Sequence, residues 1–440
     1  MNDRLASLYP AHLQTVVQRH DAALAATGFD AVIIAGGAIH VAFLDDALYP
    51  FKVNPHLKYW VPVIDNPNCF LIHTPGQKPR LLFFQPIDYW YKPADTPSAH
   101  WIDFYDIEIL RQPADASQFF PKQGKVAFIG EPGGAQTGDI NPAPLLDRLH
   151  FDRSWKTDYE IECMYRANVN GVKGHRAAET AFREGLSEYE IHLAYLRGSD
   201  QTEEELPYNN IIALNDHASV LHYVQHERRT LGAADTHSFL IDAGATTNGY
   251  ASDITRTYSR DGGEFGELIA AMDRMQRGLC EAVRPGVNYP DIHHNAHRGV
   301  ASILSDFRFV KLPAEAIVER GISSTFLPHG VGHFIGLQVH DVAGFMADAS
   351  GCTIPKPEGH PYLRLTRPIE ARMVFTIEPG LYFIESLLGQ LREGVHAKDV
   401  DWNKVDDFRK FGGIRIEDDV VVTESGHRNL TREAFAGSRA

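Results

Sequence analysis

The order of apolar and polar positions divides the chain into recognisable elements. Residues 10–26 carry Leu13, Val16, Val17 and Leu24 on roughly one face of a 3.6-residue period and predict a helix. Phe29-Asp-Ala-Val-Ile-Ile-Ala-Gly-Gly37 predicts a buried strand. Gly36-Gly37-Ala-Ile-His40 lacks the G-x-G-x-x-G spacing of a dinucleotide loop, so those glycines read as a strand terminator. Two apolar runs, 69–73 and 80–84, flank Pro75-Gly76 and predict a hairpin. Residues 125–129 predict a further strand and 142–149 a short helix. Thr157-Asp-Tyr-Glu160 and Ser187-Glu-Tyr-Glu190 are capping boxes, in which hydroxyl and carboxylate each satisfy the other's backbone N–H. They predict one helix running to about Phe182 and another carrying Ile191, Ala194 and Tyr195. Residues 264–283 place Phe265, Leu268, Ile269, Met272, Met275, Leu279 and Val283 on an amphipathic helix that Arg284-Pro-Gly286 ends. Residues 291–304 predict another, whose His293, His294 and His297 read as a solvated face, Asp291 being the one carboxylate at ligand spacing.

The most informative pattern is Ser238-Phe-Leu-Ile-Asp242, then Thr246-Thr-Asn-Gly249, then Asp253-Ile-Thr-Arg-Thr257. It reads as a β-hairpin turning at Asn-Gly. With the turn centred between Thr247 and Asn248, Asp242 and Asp253 face each other, Cβ atoms about 4.5–5.5 Å apart. Two carboxylates so placed share a proton or a metal; the plainer reading is two solvated aspartates beside a turn.

Downstream stretches decide between these. His329-Gly-Val-Gly-His333 has the i, i+4 spacing of a zincin helix, but Gly-Val-Gly between the histidines disfavours helix and supplies no glutamate. Met373-Val-Phe-Thr-Ile-Glu378-Pro-Gly380 is a strand ending in a glutamate, with Thr376 and Glu378 on one face. In Gly412-Gly-Ile-Arg415-Ile-Glu417, Arg415 and Glu417 share a face. Two aspartates, two glutamates and a histidine suit a pair of hard or borderline divalent cations, Mn²⁺ ahead of Co²⁺; structural zinc would favour cysteine and more histidine. Four carboxylates neutralise two dications and leave a hydroxide between them as nucleophile.

Composition narrows the alternatives. The 440-residue chain exceeds one ordinary domain, and 44% hydrophobic with 22% charged residues describes a soluble globular protein. A net charge of −15 argues against nucleic acid or an anionic membrane as partner. The N-terminal residues show no apolar signal region and no run of 18 apolar residues occurs, so a cytoplasmic protein is expected. Cys69, Cys163, Cys280 and Cys352 stand far apart and read as buried or incidental thiols.

Asp242…Asp253, His329-Gly-x-Gly-His333-x-x-Gly-Leu-x-x-His340-Asp341, Thr376-Ile-Glu378-Pro-Gly380 and Gly413-Ile-Arg415-Ile-Glu417 together resemble the pita-bread metallopeptidases, most closely the prolidases (Xaa-Pro dipeptidases). Phe43-Leu-Asp-Asp46, Phe51-Lys-Val-Asn-Pro55 and Glu358-Gly-His-Pro361 are similar to the bacterial type that also hydrolyses organophosphorus esters. The resemblance implies an α+β protein with a creatinase-like α/β domain over 1–155 and a pita-bread catalytic domain over 156–440. It implies a homodimer in which the loop of Asp45 closes the partner's site. Among the ligands, it implies that Asp242 holds one metal, Asp253 and Glu417 bridge both, and His333 and Glu378 hold the other. Glu378 then moves the proton, His340 and His329 stabilise the intermediate, and His222 lines the pocket. Arg364 binds the dipeptide's carboxylate, and Arg415 orients ligands or binds substrate. Tyr208 and Tyr289 are further pocket candidates. Aminopeptidase P, which trims longer Xaa-Pro peptides with the same ligands, is the rival enzyme; a peptide-binding module without catalysis is the rival class.

Overall fold

The computed structural model describes residues 4–131 and 133–437. Contacts divide the chain into a unit of Met1–Cys163 with Asp348–Cys352 and a unit of Met164–Ala347 with Thr353–Ala440.

In the first unit, helix α1 (Arg4–Thr27) begins ahead of the predicted start, because Leu5 and Tyr9 extend the buried stripe of Leu13, Val16 and Leu24 by more than a turn. Strands β1 (Ala31–Ala35), β2 (Phe70–His73), β3 (Arg80–Phe84), β4 (Asp106–Leu110), β5 (Val126–Ile129) and β6 (Asp139–Ile140) form one sheet in the order β4-β3-β2-β1-β5-β6. The hairpin around Pro75-Gly76 is β2 against β3, antiparallel, while β1 runs parallel to β5. Helices α2 (Pro55–Trp60) and α3 (Ala143–Asp152) complete an α/β unit. Its loops leave apolar side chains in solvent: Phe43 and Leu44 in one, Ile87, Tyr89 and Trp90 in another.

Both capping boxes form. The N–H of Thr157 donates to Glu160 Oε2 (2.8 Å) at the start of helix α4 (Asp158–Glu184), and Ser187 and Glu190 exchange the same pair before α5 (Glu188–Ser199). In the second unit, β7 (Ile211–Leu214), β8 (Ser238–Asp242), β9 (Thr246–Thr247), β10 (Tyr250–Ala251) and β11 (Thr255–Ser259) follow, β8 lying between β7 and β11. Helix α6 (Gly263–Glu281) buries Phe265, Leu268, Met272 and Leu279 of the stripe that predicted it, and α7 (Tyr289–Asp306) covers the predicted 291–304. Strands β12 (Val374–Ile377), β13 (Gly380–Tyr382), β14 (Gly413–Arg415), β15 (Asp418–Val422) and β16 (His427–Asn429) pair as β12-β15-β16 and β13-β14.

Two sequence expectations are corrected. The hairpin turns one residue later than expected: Asn248 (φ +51°) and Gly249 (φ +82°) both occupy left-handed backbone, the two central positions of a type I′ turn. The register therefore pairs Asp242 with Thr255, not Asp253, and Tyr250 with Thr247. Asp253 becomes a diagonal neighbour of Asp242. The strands close in at Gly244, where a Cβ would lie 2.0 Å from the carbonyl oxygen of Ser252, so only glycine fits. The histidine face of α7 is also not solvated: His293 and His297 are buried and His294 is half-buried.

Candidate active site

The four carboxylates stand at strand ends in the second unit. Asp242 closes β8, Asp253 precedes β11, Glu378 follows β12, and Glu417 lies between β14 and β15. Bridges Thr255–Glu417 and Phe334–Phe375 draw the strand ends together. His333 enters from an irregular stretch, not a helix. Gly332 (φ +153°) allows this, since a Cβ there would sit 2.1 Å from the carbonyl oxygen of Thr376. His333 can thus accept the N–H of Thr376 on its own carbonyl (2.9 Å) and donate its N–H to Thr376 Oγ1 (3.2 Å).

The imidazole of His333 donates from Nδ1 to the carbonyl of Phe334 (3.0 Å), which turns Nε2 toward Asp253 Oδ2 (3.5 Å) and Glu378 Oε1 (3.7 Å). Asp253, His333 and Glu417 each bring one donor atom within 4.8 Å of the others. Glu378 lies between two imidazoles, its other oxygen 3.7 Å from Nδ1 of His329.

Supporting groups fix these side chains. Arg415 is buried and donates to Asp242 Oδ2 (2.7 Å), Thr255 Oγ1 (3.3 Å) and the hydroxyl of Tyr382 (2.9 Å). Thr255 in turn donates to Glu417 Oε2 (2.7 Å). The Tyr382 hydroxyl, accepting from Arg415, gives its proton to Nε2 of His329 (2.8 Å), whose Nδ1 donates to the carbonyl of Gly330 (2.8 Å). Burial, with Arg415 nearby, depresses His329 to about 4. Tyr208 reaches both Asp242 Oδ1 (2.8 Å) and Asp253 Oδ1 (2.6 Å).

The electrostatics show an excess of negative charge. Burial raises Asp242 against the pull of Arg415, and takes Glu378 to about 7 against the pull of His333. It pushes Glu417 well up, with Asp253, Glu378 and Asp242 adding to the effect. Burial opposes a charge on His333 as well, yet the carboxylates of Asp253 and Glu378 carry it up to about 9. One phenolic proton also cannot satisfy two carboxylate oxygens, so Tyr208 leaves one contact without a proton. Four acidic groups, one imidazole and a missing positive charge fit a pair of divalent cations held by Asp242, Asp253, His333, Glu378 and Glu417.

The other sequence-predicted residues fall at different depths. His340 reaches solvent, its ring edge-on to His333 at 4.3 Å between centroids, and makes no hydrogen bond among the described residues. His222 and Arg364 are exposed, both near enough for their charge to act on His340. Tyr289 is fully buried, its hydroxyl donating to the carbonyl of Thr376 (2.7 Å), a contact that supports the strand under His333. Sequence reasoning missed Thr255, Tyr382 and Asp419. Asp419 accepts the N–H of Asp253 (3.1 Å) and the amide of Asn168 (2.8 Å). The period-two alternation of Asp253-Ile-Thr255 and of Glu417-Asp-Asp419 was the available signal.

Residues 162–424 match metallopeptidase family M24, and residues 7–151 match the family described as Xaa-Pro dipeptidase, N-terminal domain. The chain is 48% identical over 436 residues to an Xaa-Pro dipeptidase of Stenotrophomonas maltophilia, covering 98% of each. It is 48% identical over 437 residues to an Xaa-Pro dipeptidase of Pseudoalteromonas haloplanktis, covering 98% of this chain and 99% of that one. In fold it is similar to aminopeptidase P from E. coli with the inhibitor Pro-Leu, at a TM-score of 0.73 and 21% identity, covering 97% of this chain and 99% of that one. A zinc-substituted form of that enzyme in complex with product gives a TM-score of 0.72, with 21% identity and the same coverage. The chain belongs to metallopeptidase family M24, on its Xaa-Pro dipeptidase branch, and has that family's two-domain architecture of an N-terminal domain and a pita-bread domain.

Proposed function

We propose that the protein is a metal-dependent peptidase that hydrolyses Xaa-Pro dipeptides. The observation that carries the reading is the convergence of Asp242, Asp253, His333, Glu378 and Glu417 on one centre with an excess of negative charge. Full-length relatives named Xaa-Pro dipeptidase supply the substrate class. We place the division between the two domains at residues 155 and 156.

Two divalent cations bound there supply Lewis acidity toward the scissile carbonyl and make the attacking water more acidic. Manganese suits the oxygen-rich donor set, with cobalt the alternative. The chain's own groups do the remaining work. Glu378, between His333 and His329, takes the proton of the attacking water and passes it to the leaving nitrogen. That nitrogen is a tertiary amide without N–H, so it leaves only once protonated. His340, with no hydrogen bond to give up among the described residues, turns an N–H to the developing oxyanion. His329 acts through Tyr382, since both its nitrogens are engaged within the protein. Arg415 holds Asp242 and Tyr382 in place, and Tyr208 spans Asp242 and Asp253. Tyr289 supports the backbone beneath His333. The exposed guanidinium of Arg364 clamps the C-terminal carboxylate of the dipeptide, with His222 at the pocket wall. Organophosphorus ester hydrolysis is a side activity open to the same water.

The protein is read as a cytoplasmic homodimer. Among the described residues no helix is long and apolar enough to cross a membrane. The bare apolar side chains at Phe43, Leu44, Ile87, Tyr89 and Trp90 in the first unit favour a partner surface.

A rate comparison tests the activity. After chelation and restoration of Mn²⁺, an Xaa-Pro dipeptide is expected to be cleaved far faster than the matching Xaa-Pro-Xaa tripeptide. The reverse preference makes the protein an aminopeptidase P and removes the clamp role from Arg364. Cleavage of neither returns a peptide-binding module.

A further inference from the structure

A second cluster of metal-binding side chains lies in the same unit. His293 and His297 stand one turn apart on α7, 1% and 3% exposed. His360 meets them from the turn of Glu358-Gly-His-Pro361, its ring 4.6 Å from that of His293 and 4.7 Å from that of His297. Nδ1 of His360 and Nε2 of His293 are 2.9 Å apart. One nitrogen from each residue lies within 4.8 Å of the others. Nδ1 of His297 bonds Ser323 Oγ (3.1 Å), while its Nε2 and Nδ1 of His293 are buried with no hydrogen-bond partner among the described residues.

We propose that His293, His297 and His360 form a second metal site, distinct from the carboxylate centre, for a late first-row divalent cation of the zinc class bound by three imidazoles and a water. His297 offers Nε2, because Ser323 holds its Nδ1. His293 and His360 offer the nitrogens that now face each other. All three rings are neutral at pH 7: burial, with the neighbouring imidazoles, takes His293 to about 2 and His297 to about 3, and lowers His360. In the free site the 2.9 Å contact holds a proton on one of the two facing nitrogens; on binding, that ring carries its proton on its other nitrogen instead, so all three rings stay neutral and no net proton is released. Nitrogens up to 4.8 Å apart must draw in for bonds of about 2.0–2.1 Å, and His360, on a surface turn, is the ring free to move. The donor set separates the two sites chemically. Three neutral imidazoles without a carboxylate favour zinc, nickel or copper, whereas four acidic side chains and one imidazole favour manganese or cobalt. Occupancy fastens the 358–361 turn to α7.

The test counts zinc. Wild-type protein and His360→Ala are dialysed at one fixed free Zn²⁺ concentration, and bound metal is measured by mass spectrometry. His360→Ala alters a half-exposed loop residue and is expected to bind about one equivalent less than wild type while its Mn²⁺-restored dipeptidase rate stays within about twofold. His297→Asn is expected to lose the same single equivalent. Equal zinc content in wild type and either variant overturns the site. Loss of more than one equivalent in His360→Ala overturns its independence from the carboxylate centre. The difference is read whether or not the protein cleaves Xaa-Pro dipeptides, so failure of the activity and failure of the site remain separable.

Discussion

The carboxylate centre and the histidine trio are both buried clusters that a folded chain would avoid without a use for them, but they fail to balance in opposite ways. The centre has too much charge. Asp242, Glu378 and Glu417 are all raised by burial, and the one imidazole among them is held protonated by Asp253 and Glu378. The trio has no charge, and instead has, in Nε2 of His297, a buried ligand atom without a hydrogen-bond partner among the described residues. Excess negative charge calls for hard dications, and unpartnered neutral imidazoles call for a softer one. Their surroundings differ in the same sense. Arg415, Thr255 and Tyr208 hold the carboxylates from outside, and Tyr382 braces Arg415, whereas a single serine holds the trio.

The most severe break in this comparison is Asp242→Asn. It keeps the shape of the side chain and removes the charge, both from the metal set and from the ion pair with Arg415. Losing a groups' outer support typically costs 10–100-fold, so loss of the ligand itself is expected to lower kcat/KM by more than about 100-fold. Bound manganese should fall with it, while the zinc equivalent assigned to the trio stays. Full metal content and rate in the purified variant would show that the centre lies elsewhere. A smaller effect is expected from Arg415→Lys. Lysine keeps the charge but not the planar fork that serves Asp242, Thr255 and Tyr382 together. A loss of about 10–100-fold in manganese affinity or rate is expected, measured by metal titration and dipeptide kinetics. An unchanged affinity would reduce Arg415 to a packing role.

These differences also explain what the sequence could tell. The two glutamates of the centre sat in strand-end motifs whose alternation, Thr376 with Glu378 and Arg415 with Glu417, already gave their faces. The hairpin was legible but its register was not. Centring the turn on Thr247 and Asn248 shifted the pairing by two residues, and only the left-handed pair Asn248–Gly249 corrects it. The trio was misread because α7 alone has no partner for its histidines. His360 lies 63 residues beyond His297, and no local period announces that it folds back. Asp418 and Asp419 were hidden for a related reason. Adjacent acids on one strand point to opposite sides, Asp418 to Arg256 and Arg432, Asp419 to Asn168 and the backbone of Asp253. Arg256, Asn168 and Asp253, three of the residues that receive them, lie far away in sequence.

A third buried polar cluster sharpens the comparison with the smallest effect, because it lacks neither charge nor partners. Glu188, at the start of α5, accepts from the N–H groups of Leu214 and Glu227 (2.8 Å each), from His217 Nδ1 and from the hydroxyl of Tyr223 (2.7 Å each). Every lone-pair direction has a donor, so the carboxylate has no room for a cation. Burial alone would raise its pKa, but these donors outweigh burial and lower it, and the same hydrogen bond from His217 raises the histidine. Glu188→Gln should therefore cost stability without touching metal content or rate, by about 1–3 kcal/mol near neutral pH as a charged acceptor is lost. The pH dependence follows from the two directions. A depressed carboxylate gives stability that is present above its unfolded value, about 4.3, and lost as pH falls through the folded pKa. A raised histidine gives stability that is complete below its unfolded value, about 6.5, and lost as pH rises through the folded pKa. The gap in denaturation midpoint between wild type and Glu188→Gln should be widest between about pH 4.3 and 6.5 and narrow on both sides. A gap that stays constant from acid to neutral pH would mean that shape, not the charged hydrogen bonds, is what Glu188 contributes.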